Sequence, residues 1–266
     1  MISSLEIFLV FLFGLIIGSF INVIIYRLPK GISIIFPSSH CPKCKRKLKW
    51  YHNIPVISFI LLRGKCAFCG EKISLQYPLV ELLSAFLLLC LYFRFNPFKD
   101  IILFLFVAYF TFSLLCISVI DFKQKEIPDS LSFPLIFAGW FFCLLGKNPF
   151  QLTIIDSLIS SFAGIGLLFF INELYYVITK RDSIGIGDFK LMGGIGSFLG
   201  VQSFFSVLFY ASLFGVIAFF LFVIYKKFFK KEEILALREA LKEEIPFGPF
   251  LSLGALLYLF NFRILL

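Results

Sequence analysis

The sequence predicts an all-α polytopic membrane protein with about eight transmembrane helices. Hydrophobic residues make up 60% of the chain and the mean hydropathy is +0.96, whereas a soluble globular domain contains about 45–50% apolar residues. Several apolar stretches also reach the roughly 20 residues that a helix needs to cross a bilayer. Together these two observations exclude a soluble protein.

The first apolar stretch, residues 5–26, is too long for the core of a signal peptide and lacks a clear small-residue cleavage site. We therefore expect residues 1–26 to form a retained first transmembrane helix. A cysteine-containing loop, residues 27–77, follows, and residues 78–266 form a membrane core of seven helices. The apolar stretches of this core are residues 78–95, 100–120, 131–146, 152–178, 188–200, 203–226 and 247–262.

The basic residues predict the orientation of these helices. With the N-terminus outside, every lysine and arginine lies in a cytoplasmic loop except Arg94, Lys99, Lys147 and Arg263. This bias follows the positive-inside rule and accounts for the net charge of +9, so we expect membrane lipid and no nucleic acid as a partner. The charged segment 230–246 predicts a cytoplasmic helix at the membrane surface, with a solvated connector as the alternative.

The loop of residues 27–77 contains two Cys-x-x-Cys pairs, Cys41 with Cys44 and Cys66 with Cys69. Two such pairs at this separation are typical of a closed, structural Zn²⁺ site with four thiolate ligands. Two disulfides or four free thiols are the alternatives, although disulfides are rare in a reducing cytoplasm. His40 and His52 flank the pairs, and either could replace a cysteine.

Two aspartates are predicted to meet at the cytoplasmic edge of the bilayer. The third apolar stretch runs inward and ends at Asp121, and the sixth runs outward and begins at Asp188. An aspartyl hydrolase needs two such acids: one takes a proton from water while the other, still protonated, hydrogen-bonds the scissile carbonyl. The alternative is that each acid is an ordinary interfacial residue paired with Lys123 or Lys190.

The residues around these acids refine the prediction. Gly185 and Gly187 precede Asp188 and would allow positive φ angles and the close approach of another chain, leaving room for an extended peptide. Asp129 is a rival to Asp121, but it directly precedes the fourth apolar stretch, where an aspartate can cap the helix. We therefore prefer Asp121 as the second acid.

In combination these motifs resemble the prepilin peptidases, or type IV leader peptidases, over essentially the whole chain. The similarity lies in the cysteine loop and in five further segments: "GSFINVIIYRLP" (18–29), "YPLVE" (77–81), "DFKQKEIPD" (121–129), "GIGDFKLM" (185–192) and "IPFGPFL" (245–251).

The resemblance implies an intramembrane aspartyl protease of the Gly-x-Gly-Asp type in a bacterial inner membrane. Asp121 and Asp188 would be its catalytic acids, with Gly185, Gly187 and Lys190 in supporting positions. Its substrates would be prepilins or pseudopilins of a secretion system, cut after a short basic leader at the cytoplasmic edge. The resemblance also implies N-methylation of the new amino terminus with S-adenosylmethionine, but identifies no residue that binds this methyl donor.

Two other classes of protein stay open from the residues alone. A transporter or channel also combines broken helices with intramembrane acids. A zinc-bearing scaffold of a secretion apparatus would need the cysteine loop but would have no catalytic activity. Cleavage of a prepilin-like substrate would distinguish the protease from both.

Overall fold

The computed structural model of the chain describes residues 3–181, 184–229 and 246–261. The predicted surface helix at 230–246 lies, apart from its last residue, outside these described residues. Within them the all-α prediction is confirmed, and none of them belongs to a β-strand. The α-helices are α1 (Ser4–Arg27), α2 (Ile57–Leu61), α3 (Gln76–Phe95), α4 (Ile101–Gln124), α5 (Asp129–Leu144), α6 (Ile154–Thr179), α7 (Ile186–Leu199), α8 (Phe204–Phe229) and α9 (Gly248–Asn261).

Each of the eight predicted apolar stretches overlaps one of these helices. Among the described residues, five helical segments are long and apolar enough to cross a membrane: Ser4–Lys30, Gln76–Phe95, Ile101–Gln124, Ile154–Thr179 and Val201–Ile224. Helices α5, α7 and α9 are shorter, with 16, 14 and 14 residues. At 1.5 Å per residue, 14 residues extend about 21 Å, which is less than a hydrocarbon core of about 30 Å.

The chain forms two compact units that divide within α4, between Phe112 and Ser113. In the first unit, glycines allow α1 and α3 to pack with their backbones in close contact. A Cβ atom added at Gly14 would lie 2.5 Å from the Cα atom of Ala85, and one added at Gly18 would lie 2.6 Å from the Cα atom of Glu81. This is the Gly-x-x-x-Gly pattern with which membrane helices associate.

Buried polar side chains tie the cysteine loop to these two helices. The side-chain amide of Asn22 donates to the carbonyl of Tyr77 at 3.0 Å, next to the start of α3. Glu81, which is 7% exposed, accepts a 2.8 Å hydrogen bond from the backbone nitrogen of Val56. Val56 has a φ of 59°, a region that β-branched residues rarely adopt. The contact with Glu81 therefore holds the loop in a strained turn.

In the second unit, α7 is buried between α5 and α6. From Asp188 to Leu199 every residue of α7 is buried except Lys190. A Cβ atom added at Gly196 would lie 2.5 Å from the carbonyl oxygen of Ser160 in α6, and one added at Gly194 would lie 2.8 Å from the Leu135 side chain in α5. The glycines of the sixth apolar stretch thus allow close packing on two sides of the helix that carries Asp188.

Candidate active site and metal centre

Asp121 lies in the last turn of α4 and is 5% exposed. Its carbonyl oxygen accepts a 2.8 Å hydrogen bond from the nitrogen of Lys125, whose φ of 58° turns the chain away from the helix. Its side-chain Oδ2 accepts a 2.9 Å hydrogen bond from the nitrogen of Gly248, at the start of α9. The carboxylate is therefore oriented by the first residue of a helix that lies far away in the chain.

Asp188 is the third residue of α7 and is 9% exposed. Its Oδ2 accepts a 3.3 Å hydrogen bond from the nitrogen of Gly185, and its own nitrogen donates to the Gly185 carbonyl at 3.0 Å. The first turn of a helix also favours a negative charge. The other oxygen, Oδ1, is buried and has no hydrogen-bond partner among the described residues. This oxygen is available to a water molecule, a proton or a substrate.

Ile127 links the surroundings of the two acids. A Cβ atom added at Gly248 would lie 2.7 Å from Oδ2 of Asp121 and 3.2 Å from Cδ1 of Ile127. A Cβ atom added at Gly187 would lie 2.8 Å from Cβ of Ile127. The charges of Asp121 and Asp188 also interact with each other. The structure thus brings the two predicted acids together in one buried site.

Two buried carboxylates in one site have a defined chemical capacity. Two carboxylates that share a buried site resist ionising together, so such a pair can share one proton. The protonated carboxyl can donate a hydrogen bond while the ionised one accepts a proton from water. The arrangement is therefore suited to general acid and base catalysis of hydrolysis.

Neither Gly185 nor Gly187 uses the positive φ angles that a glycine would allow. Gly185 has a φ of −72°, and neither glycine is among the described residues with positive φ. Close approach does apply to Gly187, but the neighbour is Ile127 of the same chain. Gly185 has only an ordinary contact, since a Cβ atom there would lie 3.5 Å from Oδ2 of Asp188.

The expected capping role of Asp129 is wrong. Pro128 occupies the N-cap position of α5, and Asp129 is the first residue of the helix itself. Its carboxylate forms an ion pair with Nζ of Lys190, which also lies 5.3 Å from the centre of the Phe133 ring. Lys190 thus pairs with Asp129 rather than with Asp188, and the pair links the first turn of α5 to the second turn of α7.

Gly248 and Ile127 are the residues of this site that sequence reasoning missed. Both lie in motifs that the resemblance includes, "DFKQKEIPD" and "IPFGPFL". Their contacts with Asp121 and Gly187 depend on tertiary packing, so the sequence offers only one signal. That signal is the glycine between phenylalanine and proline, which is typical of a place where another group approaches the backbone.

The four cysteines of the loop form a second candidate site. The sulfur atoms of Cys41, Cys44, Cys66 and Cys69 all lie within 4.8 Å of one another, and those of Cys41 and Cys69 are 3.9 Å apart. Zinc–sulfur bonds of about 2.3 Å in a tetrahedron require sulfur atoms about 3.8 Å apart. The four thiols therefore fit a zinc ion, and with four protein ligands its role would be structural.

The two Cys-x-x-Cys pairs have the same backbone geometry. In each pair the first cysteine donates its N–H to a carbonyl five residues later, and its own carbonyl accepts an N–H from the residue after the second cysteine. That residue has a positive φ in both cases, 59° at Lys45 and 70° at Gly70. Backbone N–H groups of Phe68 and Cys69 lower the pKa of the Cys66 thiol to about 7, which favours the thiolate that a metal binds. Desolvation and the neighbouring thiols raise the pKa of the Cys69 thiol to about 11.

The flanking histidines lie outside this cluster. Among the described residues, the group of side chains that could hold a metal consists of the four cysteines. Nδ1 of His40 contacts the carbonyl of Ser38 at 3.1 Å, and the ring of His52 packs edge-on against Tyr51 and Phe68. Neither histidine replaces a cysteine in this arrangement.

Comparisons with known proteins agree with the resemblance in the sequence. Residues 12–95 match the bacterial peptidase A24 N-terminal domain, and residues 107–220 match the type IV leader peptidase family. A protein of Dichelobacter nodosus, named prepilin leader peptidase/N-methyltransferase, is 32% identical over 98% of this chain and 94% of its own length.

Other relatives carry the same name. That of Neisseria gonorrhoeae is 33% identical over 77% of this chain and 78% of its own length. That of Vibrio cholerae serotype O1 is 37% identical over 71% and 76%. No solved structure matches the chain. With its apolar helices and these relatives, this bacterial membrane protein belongs to the prepilin peptidase, or type IV leader peptidase, family.

Proposed function

We propose that the chain removes the leader from type IV prepilins or pilin-like secretion subunits with Asp121 and Asp188 as an aspartyl dyad. The single observation that carries the dyad is the buried pair itself, in which Asp188 retains an oxygen without a partner among the described residues. The relatives' shared name supports the substrate class.

In the proposed reaction, the ionised carboxyl of the dyad removes a proton from a water molecule. The water oxygen attacks the scissile carbonyl carbon while the protonated carboxyl donates a hydrogen bond to the carbonyl oxygen. The tetrahedral intermediate then loses the amine, which takes up a proton from the dyad as the C–N bond breaks. The two acids act as one titrating unit, so we assign the starting proton to the pair.

The surroundings of the dyad support this chemistry. The N–H groups of Gly248 and Gly185 hold one oxygen of each acid in place, so both carboxylates are oriented before a substrate arrives. Burial excludes bulk water and strengthens the hydrogen bonds to the reacting carbonyl. Both properties are expected of a site that hydrolyses a peptide within a membrane protein.

We further propose that cleavage takes place at the cytoplasmic edge of the inner membrane. The distribution of lysine and arginine supports an outside N-terminus and a cytoplasmic cysteine loop. Asp121 near the end of α4 and Asp188 near the start of α7 would then both face the cytoplasm, where a basic leader would lie. The scissile bond would directly precede the hydrophobic segment of the substrate.

The relatives' name also supports a second activity, N-methylation of the new amino terminus. S-adenosylmethionine would supply the methyl group. Cys41, Cys44, Cys66 and Cys69 would hold a structural zinc ion that keeps the loop folded.

The decisive experiment uses the purified full-length protein in detergent and a prepilin-like peptide with a basic leader. Asp121→Asn and Asp188→Asn should each abolish cleavage, whereas Asp156→Asn should not. Asp156 is a matched control because its carboxylate caps α6 through Thr153 and has no place in the dyad. Cleavage by either dyad variant would refute the mechanism, and a native protein that leaves the peptide intact would refute the function.

A further inference from the structure

A groove of about 740 Å³ lies in the first unit, beside the C-terminal half of α1. Phe20, Val23 and Arg27 of α1 form one wall, and residues around the first cysteine pair form the other. We call this feature the α1 groove and define it by Phe20, Arg27, Ile35, Lys47, Lys49 and Trp50. Neither the aspartyl site nor the cysteine cluster contributes a residue to it.

The α1 groove continues the lipid-facing surface of a membrane helix. Phe13, Ile16 and Phe20 follow one another along α1 at helical spacing and are 59%, 58% and 52% exposed. Because α1 is long and apolar enough to span the bilayer, these side chains contact acyl chains. Phe20 belongs both to this stripe and to the groove, so a lipid tail that lies along α1 leads directly into the groove.

The opposite part of the groove is positively charged. Arg27, Lys47 and Lys49 line it, and no acidic residue is among its lining residues in the part of the chain that the structure describes. Arg27 is 5% exposed, and its Nη1 donates to the carbonyls of Ser33 at 3.0 Å and Ile34 at 3.4 Å. These hydrogen bonds hold the guanidinium at the groove, so a charge is fixed there before a ligand binds.

The position of these charges corresponds to the headgroup region of the bilayer. Helix α1 has 24 residues and is about 36 Å long, so its last residue, Arg27, lies at the membrane surface. Trp50 and Ile35 beside it are 79% and 72% exposed. Exposed tryptophan next to basic residues is typical of a protein surface that contacts the bilayer interface.

We propose that the α1 groove binds one anionic phospholipid. Arg27, Lys47 and Lys49 hold the negatively charged phosphate of the headgroup, and an acyl chain follows Ile16 and Phe20. Charge complementarity selects this occupant, since basic residues next to a transmembrane helix attract anionic lipids. Three cations without an acid disfavour S-adenosylmethionine, which carries a positive sulfonium and an ammonium group.

Trp50 gives a direct measurement of occupancy. The chain has two tryptophans, so Trp140→Phe leaves Trp50 as the only one. This variant is placed in nanodiscs of neutral lipid to which one brominated lipid is added. The added lipid is either phosphatidylglycerol or phosphatidylcholine with brominated acyl chains, and the two are compared at equal mole fractions. Quenching by bromine reports lipid beside Trp50. The same titration with Trp50→Phe alone measures the contribution of Trp140 and does not depend on the first variant.

Brominated phosphatidylglycerol should quench Trp50 at a much lower mole fraction than brominated phosphatidylcholine. Lys47→Gln with Lys49→Gln should weaken the phosphatidylglycerol effect about tenfold, since each basic residue near the surface contributes to anionic lipid binding. Lys65→Gln with Lys72→Gln removes the same amount of charge beside the second cysteine pair, outside the groove. This double variant should leave the phosphatidylglycerol effect unchanged. Raising the salt concentration should reduce the selectivity.

Three results would overturn the proposal. Equal quenching by the two brominated lipids would show that the groove does not select charge. Equal loss in the two double variants would assign the attraction to the diffuse charge of the loop. If added S-adenosylmethionine displaced the brominated lipid and restored the fluorescence of Trp50, the groove would be assigned to the methyl donor instead.

Discussion

The backbone nitrogen of Gly248 donates a 2.9 Å hydrogen bond to Oδ2 of Asp121, 127 positions earlier in the chain. The contact joins the start of α9 to the end of α4 and orients one of the two proposed catalytic carboxylates. It requires a glycine, because any side chain at this position would meet the carboxylate that the nitrogen holds.

Gly248→Ala should therefore inactivate the enzyme without unfolding it. The new Cβ atom would lie 2.7 Å from Oδ2 of Asp121, and displacing a catalytic group by about 1 Å can cost roughly 100-fold in rate. We expect a fall of that order in kcat, measured on a prepilin-like peptide. Gly166→Ala is the control, since nothing lies within 4 Å of its Cβ position. Full activity of Gly248→Ala would contradict the assigned role of this contact.

The two glycines before Asp188 should differ in their tolerance of alanine. Gly187→Ala places a Cβ atom 2.8 Å from Cβ of Ile127 and should disturb the segment between the acids, lowering kcat at least about tenfold. Gly185→Ala should retain most activity, because its φ suits any residue and its backbone nitrogen still reaches Asp188. The paired kinetic assays decide this, and the reverse order of activity would be inconsistent with the packing around Ile127.

The ion pair between Lys190 and Asp129 should contribute more to the positioning of Asp188 on α7 than to the stability of the fold. Both side chains are partly exposed, so Lys190→Gln or Asp129→Asn should change the free energy of unfolding by about 1 kcal/mol or less. Each should lower kcat several-fold, because the pair links the first turn of α5 to the second turn of α7, just after Asp188. The exchange Asp129→Lys with Lys190→Asp should recover part of the loss. If Lys190→Gln and Asp129→Asn both had the kcat of the native enzyme, the ion pair would have no role in positioning the site.

The cysteine cluster should bind about one zinc ion per chain. Cys41→Ser and Cys66→Ser should each lower the zinc content, measured by metal analysis after chelation, and should lower the Tm, because a structural site stabilises the folded loop. Cys90→Ser is the matched control, since this thiol lies in α3 and outside the cluster. Unchanged zinc content in the two cluster variants would exclude these thiols as ligands.

The sequence was sufficient to predict the helices, because helix formation depends on local hydropathy patterns. The assignment of Asp121 and Asp188 as catalytic acids rested on the family resemblance and stays a prediction. Hydropathy predicted a helix in each of the eight stretches, and Asp121 and Asp188 stood out as acids at the ends of apolar stretches. The cysteine spacing likewise predicted a cluster that the thiol positions fit.

The contacts that organise the site could not be predicted, because they join segments that lie far apart in the chain. Nothing local in Gly248 indicates that it faces Asp121, and Ile127 has no polar group to draw attention. Local reasoning was also wrong at Asp129, which pairs with Lys190 across 61 positions rather than capping its own helix. In the same way, the glycines of α7 have their partners in α5 and α6.

The burial of α7 has a consequence for how a peptide could reach the dyad. Asp188 lies on α7, whose backbone packs directly against α5 and α6. This acid therefore has little room to move. Any widening of the site must come from movement of the turn that contains Ile127 or of the N-terminal end of α9. We therefore expect the enzyme to open by displacing the groups that cover a stationary Asp188.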